Sequence, residues 1–326
     1  MNSKPAVSAI IVNWNGAHHL RICLPSLRSQ SFTSLETIVV DNGSTDDSAE
    51  VAKEFQARWL PLDRNVGLAP ALNRGAAIAA GDFLLFINND MRFDADFVTA
   101  LVEALGKNEE IFASDGMQFS WDGSERAHLA TRLVTRRPGG HSSTELVPGL
   151  YFYPNEANRE TAVYTGSAAC MLVRRRLFEK LNGFDDRLPL GYEDVEICWR
   201  AWMHGWKTVY VPAAICWHHV GSSGRSQEGM RMNFRGILRG RLLLASKLLP
   251  LRYAVRTWLV SAAGLGRDVG RLRWSFAKDR IKTLASTAGL MPQLLRERKQ
   301  LFGDAASSPE KQLDFLLQLT DDAIRF

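Results

Sequence analysis

Ser8-Ala-Ile-Ile-Val-Asn-Trp-Asn15 and Val39-Val-Asp-Asn-Gly-Ser-Thr-Asp46 decide how this chain of 326 residues is read. Each is a short apolar, β-branched run that stops abruptly in amides or carboxylates. Runs of this kind, at Ala6–Val12, Glu36–Val40 and Phe83–Ile87, are expected to be buried strands. Between them, Ala17–Ser29, Asp47–Phe55 and Leu68–Ala80 carry helical periodicity. Asp46 or Asp47 is placed to cap the second helix, and Gly81 to end the third. Alternating strands and helices imply a mostly parallel, Rossmann-like α/β sheet with helices on both faces. Ligands of such sheets bind at the carboxyl ends of the strands. There the chain places Asn13-Trp-Asn-Gly16, Asp41-Asn-Gly-Ser-Thr-Asp46 and Asn88-Asn-Asp90. One such loop is ordinary turn chemistry. Three at one sheet edge converge on a crevice.

No G-x-G-x-x-G follows the first strand, and no G-x-x-x-x-G-K-[ST] occurs, which disfavours dinucleotide dehydrogenases and P-loop NTPases. A nucleotidyltransferase that builds sugar nucleotides shares the sheet logic, but it usually needs a Gly-rich basic loop early in the chain.

The residues resemble glycosyltransferase family 2, which has the GT-A fold. The resemblance rests on the two opening motifs and on Asn65-x-Gly67, Asn73-x-Gly75, Gly81-Asp82 and Asn88-Asn-Asp90. Further on it rests on Gly183-Phe-Asp185, Gly191-Tyr-Glu-Asp194, Cys198-Trp-Arg200 and His218. It spans residues 6–224, and the bacterial rhamnosyltransferase-like enzymes of cell-surface polysaccharide assembly are the subgroup it is most similar to. The resemblance implies an inverting, metal-dependent transfer of a sugar, rhamnose among the candidates, from a nucleoside-diphosphate sugar to a glycan or polyprenyl-linked acceptor.

By that resemblance Asn13, Asn15 and Asp41 line the nucleotide pocket. Asp41 can accept from an imide N–H or a ribose hydroxyl, and Asn offers a donor and an acceptor. Asn65, Gly67, Asn73 and Asn89 join the donor site. Asp90 is the expected ligand of Mg²⁺ or Mn²⁺, in a motif where the family often has two aspartates and this chain has Asn88-Asn89-Asp90. His218, with His219 as the alternative, is the second metal candidate, and imidazole suits Mn²⁺ better. Asp194 is the expected general base, with Glu193 orienting hydroxyls. Trp199 and Arg200 are counted with substrate binding. Capping of the following helix is the rival reading of Glu193-Asp194. The rival function is a non-catalytic module of the same fold that holds a nucleotide sugar or glycan.

Charge divides the chain. Residues 1–224 hold 21 basic and 26 acidic residues, residues 225–300 hold 17 and 4, and the last 26 hold 2 and 5. The expected plan is a catalytic domain over 1–224, with a nucleotide half to about 110 and an acceptor half after it. A basic helical region over 225–326 follows. Amphipathic helices with arginines and aromatics suit the surface of an anionic membrane; packing on protein, including a second copy, is the alternative. No nucleic-acid-reading motif accompanies the charge. Residues 115–165 read as an irregular region over the crevice. Four widely spaced cysteines, no signal-like leader and no spanning stretch lead to an expected cytoplasmic location, at most on the inner face of a membrane.

Overall fold

The computed structural model describes residues 6–128, 130–135, 144–155, 158–219, 227–303 and 308–319. The expected domain boundary at 224 and the basic stretch Arg136-Arg137 lie outside them. The described residues form two compact units, 6–130 with 155–219, and 131–154 with 227–319.

The first unit contains β1 (Val7–Asn13), α1 (Ala17–Arg28), β2 (Leu35–Asp41), α2 (Ser48–Glu54), β3 (Arg58–Pro61), α3 (Leu68–Ile78), β4 (Phe83–Asn88), β5 (Met91–Phe93), α4 (Phe97–Gly106), β6 (Ile111–Ser120) and β7 (Arg126–His128). The segment β8 (Ala130–Val134), β9 (Thr144–Val147) and β10 (Leu150–Asn155) then forms a separate three-stranded sheet. The chain returns to the first unit with β11 (Thr161–Ala162), β12 (Cys170–Arg174), α5 (Arg175–Lys180), α6 (Glu193–Met203) and β13 (Lys207–His218).

The main sheet runs β11-β13-β6-β12-β4-β1-β2-β3, with β5 on β13 and β7 on β6. Strands β3, β2, β1 and β4 are mutually parallel. β12 runs antiparallel to β4 and β6, and β13 runs parallel to β6. The start of β12 therefore meets the carboxyl ends of β1, β2, β4, β6 and β13 at one edge.

β1 is apolar on both faces because both are covered. Val7, Ala9 and Ile11 join the core with α1, α2 and α4, while Ile10 joins the core with α3, α5 and α6. Each buried valine or isoleucine among them contributes about 1.5–3 kcal/mol. Gly75 lets α3 come close to the sheet: a Cβ there would lie 2.5 Å from Ile10. The region 115–165 is not the irregular segment expected. Most of its described residues are strand, and Asp115 and Gln118 are buried within β6.

The second unit packs α7 (Gln227–Leu248), α8 (Leu251–Gly270), α9 (Trp274–Gly289), α10 (Met291–Gly303) and α11 (Pro309–Leu317) with the three-stranded sheet. Among the described residues no helix is long and apolar enough to cross a membrane.

Candidate active site

The parallel register sets Asn13 of β1 beside Asp41 of β2, and Val12 beside Asn88 of β4. Asn13 is fully buried. Its Oδ1 accepts from Asn89 Nδ2 at 2.7 Å, and its Nδ2 donates to Ser48 Oγ at 2.9 Å and Ser44 Oγ at 3.2 Å. It is thus the hub that fixes the three strand ends, beneath the crevice rather than lining it. A Cβ at Gly16 would lie 2.1 Å from Asn89 Nδ2 and 2.5 Å from Asn13 Oδ1, so a larger residue there would displace that hydrogen bond.

Asp41 is 5% exposed. It accepts from Ser44 Oγ at 2.5 Å, Ser44 N–H at 3.0 Å and Asn13 Nδ2 at 3.4 Å. A carboxylate has about four acceptor sites, which leaves one for a ligand. Asn15 sits in the left-handed region at φ 50°, and its Oδ1 accepts from Thr45 N–H at 2.8 Å. Asp46 accepts from Ala17 N–H at 2.9 Å. Partial burial pushes its carboxyl up, but hydrogen bonds from Ser48 and Ala17 outweigh this and hold it below the usual carboxylate range. Trp14, which the sequence reading passed over, is 56% exposed on the rim between these loops. An aromatic flanked by two amides at a strand end was the available signal.

Asn65 and Gly67 shape the neighbouring loop. Asn42 Nδ2 donates to Asn65 Oδ1 at 3.1 Å and to Gly67 O at 3.2 Å, and Gly67 holds φ at +94°. Asn73 turns elsewhere: its Nδ2 donates to Phe184 O at 2.9 Å and its Oδ1 accepts from Phe184 N–H at 3.0 Å. It staples the Gly183-Phe184 turn onto α3.

Asp90 and His218, 128 positions apart in the sequence, come together. His218 Nε2 lies 3.2 Å from Asp90 Oδ1, because β5 pairs antiparallel with β13, Met91 opposite His218. His219 instead meets Trp121 edge-on with ring centroids 5.6 Å apart. On its other side His218 Nδ1 lies 3.2 Å from the buried Gln118 Oε1. In the tautomer whose Nδ1 donates to that oxygen, the Nε2 lone pair faces the Asp90 carboxylate, and two acceptors so placed fit a cation between them. Among the described residues no cluster of three or more His, Cys, Asp or Glu side chains is arranged for a metal, so this pair would need ligands from substrate and water.

Asp194 reaches the same edge through backbone. Asn88 N–H donates to Ala169 O at 3.2 Å, and Ala168 N–H donates to Asp194 Oδ2 at 3.4 Å. Val195 N–H donates to Asp194 Oδ1 at 2.7 Å, so the carboxylate also caps the first turn of α6. Asp194 is half-buried, whereas Glu193 is 1% exposed. Burial, and then the neighbouring Asp194 charge, push the Glu193 carboxyl well above the usual range. Glu193, expected to orient hydroxyls, here turns its Oε2 back to accept from Tyr192 N–H at 3.1 Å.

Trp199 and Arg200, expected to bind substrate, are engaged within the protein. Trp199 is fully buried, edge-on to Tyr164. Arg200 forms a bidentate pair with Glu196, at 2.8 and 2.7 Å, and donates to Leu181 O and Gly183 O. Its guanidinium is spent on the turn before α6.

The comparisons with known proteins agree with this geometry. Residues 8–182 match the model of glycosyl transferase family 2. Over 236 residues, 66% of this chain and 77% of the relative, the chain is 29% identical to the N-acetylglucosaminyl-diphospho-decaprenol L-rhamnosyltransferase of Mycobacterium tuberculosis. It is 22% identical over 215 residues to the poly-beta-1,6-N-acetyl-D-glucosamine synthase of Staphylococcus epidermidis, covering 65% of this chain and 49% of that one. Among solved structures it resembles the mannosyltransferase of Pyrobaculum calidifontis in complex with GDP-Man and Mn²⁺. That match has a TM-score of 0.55 at 15% identity and covers 89% and 88% of the two chains. It also resembles S. aureus TarS 1-349 in complex with UDP-GlcNAc, at TM-score 0.51 and 18% identity over 72% and 66%. The fold is GT-A.

Proposed function

The chain belongs to glycosyl transferase family 2 and is a glycosyltransferase, and from that premise we propose that it moves a sugar, with inversion, from a nucleoside-diphosphate donor to a polyprenyl-diphosphate-linked glycan. The observation that carries this reading is the meeting of Asp41, Asn89, Asp90, His218 and the Ala168–Asp194 contact at one sheet edge. The mycobacterial relative's name supplies the first donor and acceptor to test, an L-rhamnosyl nucleotide and a decaprenyl-diphosphate sugar.

In this reading the free acceptor site of Asp41 takes a donor N–H or hydroxyl, and Trp14 stacks on the base. Asp90 and His218 hold a divalent cation. When bound there, the cation neutralises charge on the departing diphosphate. Asp194 accepts the proton of the acceptor hydroxyl as that oxygen forms its bond to the anomeric carbon. The bond from that carbon to the diphosphate breaks, and its electron pair leaves with the nucleoside diphosphate. One base and one displacement give inversion. A positioned base of this kind contributes about 10²–10⁴-fold. Asp194 already accepts two backbone N–H bonds, which hold its carboxylate in place.

A thermal-shift screen of nucleoside diphosphates, with and without Mn²⁺, tests the reading. Stabilisation of about 2.7 kcal/mol is expected at a hundredfold excess over Kd, with Mn²⁺ required and Asp90→Asn abolishing the Mn²⁺-dependent stabilisation. Stabilisation by no nucleotide, or equal stabilisation in EDTA, would overturn it.

A further inference from the structure

Helix α8 is built inside out. Its buried face carries Ala254, Thr257, Ser261, Gly264 and Asp268, all small or polar. That face closes over Arg280 of α9, which donates to Asp268 Oδ2 at 2.8 Å and Ser261 O at 2.9 Å and lies against Gly264. The aliphatic side chains point the other way. Leu251, Val255, Leu259 and Val269 are exposed, Leu259 by 65%. With Ala262 and Gly266 between them, the spacing is four, four, three, four and three, one continuous stripe along the helix.

The turn into α9 extends this stripe. Arg273 N–H donates to Asp268 O and Leu272 N–H to Val269 O, at 2.8 and 2.9 Å. This is the helix-ending pattern in which the left-handed position is usually glycine. Here it is Leu272, at φ 55° and 74% exposed. A leucine costs more than glycine at that φ and contributes no burial in return. Trp274 beside it is also exposed.

One flank of the stripe is cationic. Arg252, Arg256 and Arg267 follow it along α8, and Arg271 and Arg273 follow it into the turn; all five are exposed. The only acid of α8, Asp268, is buried under Arg280. A second copy docked on this stripe would set arginine rows together with no acid of α8 to pair them. An anionic lipid surface takes up both the apolar stripe and the arginines.

We propose that the exposed face of α8 and the Leu272–Trp274 turn lie in the interface of an anionic bilayer. This goes beyond the transferase reading and does not depend on it, because vesicle binding needs no turnover. The full chain is sedimented with vesicles of phosphatidylglycerol and phosphatidylcholine in equal parts, and with vesicles of phosphatidylcholine alone. Binding to the first, weak binding to the second and release by salt are expected. Arg252→Gln with Arg267→Gln should lower partition roughly fivefold per arginine. Leu272→Gly should raise the melting temperature while weakening vesicle binding, a pair of effects that a purely structural role of Leu272 does not produce. Equal binding to both vesicles, or binding unchanged in the arginine variant and in Leu272→Gly, overturns the proposal. So does a dimer lost in Leu259→Ser when the parent chain binds neither vesicle.

Discussion

Gln118 is the residue on which the metal reading can be tested without measuring turnover. It is 2% exposed on β6. Its Oε1 faces His218 Nδ1 at 3.2 Å, while its Nε2 has no partner among the described residues. Gln118→Leu should therefore separate two quantities. Losing the hydrogen bond to His218 costs about 0.5–1.5 kcal/mol, and removing the orphaned N–H relieves about 1–3 kcal/mol. The net runs from about 0.5 kcal/mol of loss to about 2.5 kcal/mol of gain, so in urea unfolding the metal-free variant should be no more than about 1 kcal/mol less stable than wild type. The His218 ring, however, loses the partner that fixes its tautomer and its angle toward Asp90. Loss of such an outer partner typically costs 10–100-fold in metal affinity, about 1.4–2.7 kcal/mol. Calorimetric titration of Mn²⁺ in the presence of nucleoside diphosphate reads that number directly. An unchanged Mn²⁺ affinity would refute the orienting role. A metal-free variant destabilised by more than about 3 kcal/mol would show that Gln118 is structural instead.

Two further perturbations follow from burial. Glu193 is protonated in both states below about pH 4.3, where it contributes nothing to pH dependence. Above that, the unfolded chain ionises while the buried carboxyl stays neutral, so this group lowers stability by about 1.4 kcal/mol per pH unit until its raised folded pKa is reached. Glu193→Gln should remove that slope as the pH rises above about 5; equal slopes in urea melts of the two proteins would refute the assignment. Arg200→Met removes the guanidinium that faces the buried Glu196 carboxylate, so unfolding should cost about 3–5 kcal/mol less than in wild type. The Kd for nucleoside diphosphate, measured on the folded variant, should stay within twofold, and a selective loss of donor binding would return Arg200 to the site.

The strand-end edge proposed to hold the nucleotide was legible in the sequence because its signal is local. Three apolar runs break into Asn13, Asp41 and Asn88-Asn-Asp90, and the structure brings those breaks to one edge by parallel register. The Asp90–His218 pair was legible only through the resemblance, since antiparallel pairing across 128 positions leaves no local trace. Gln118 lacked even that: a glutamine inside a strand belongs to no motif. β6 was missed because Ser114-Asp115-Gly116 interrupts its apolar pattern. Those residues are buried, with Asp115 accepting from Ser167 N–H at 3.1 Å. Arg200 was a different case. Its spacing of four from Glu196 was visible as an ion pair along a helix, and motif context drew the reading toward substrate instead. For α8 the periodicity was plain, but no pattern in a single chain tells which face a helix turns inward.

The central claim is that Asp194 acts as base in a transfer from a nucleoside-diphosphate sugar. The most direct measurement compares nucleoside diphosphate release and donor binding in wild type and Asp194→Asn, with a polyprenyl-diphosphate sugar as acceptor. The account predicts acceptor-dependent release by wild type, a loss of at least about 10²-fold in the variant, and donor Kd within a few-fold of wild type. Release at the wild-type rate by a variant that binds donor normally would contradict it.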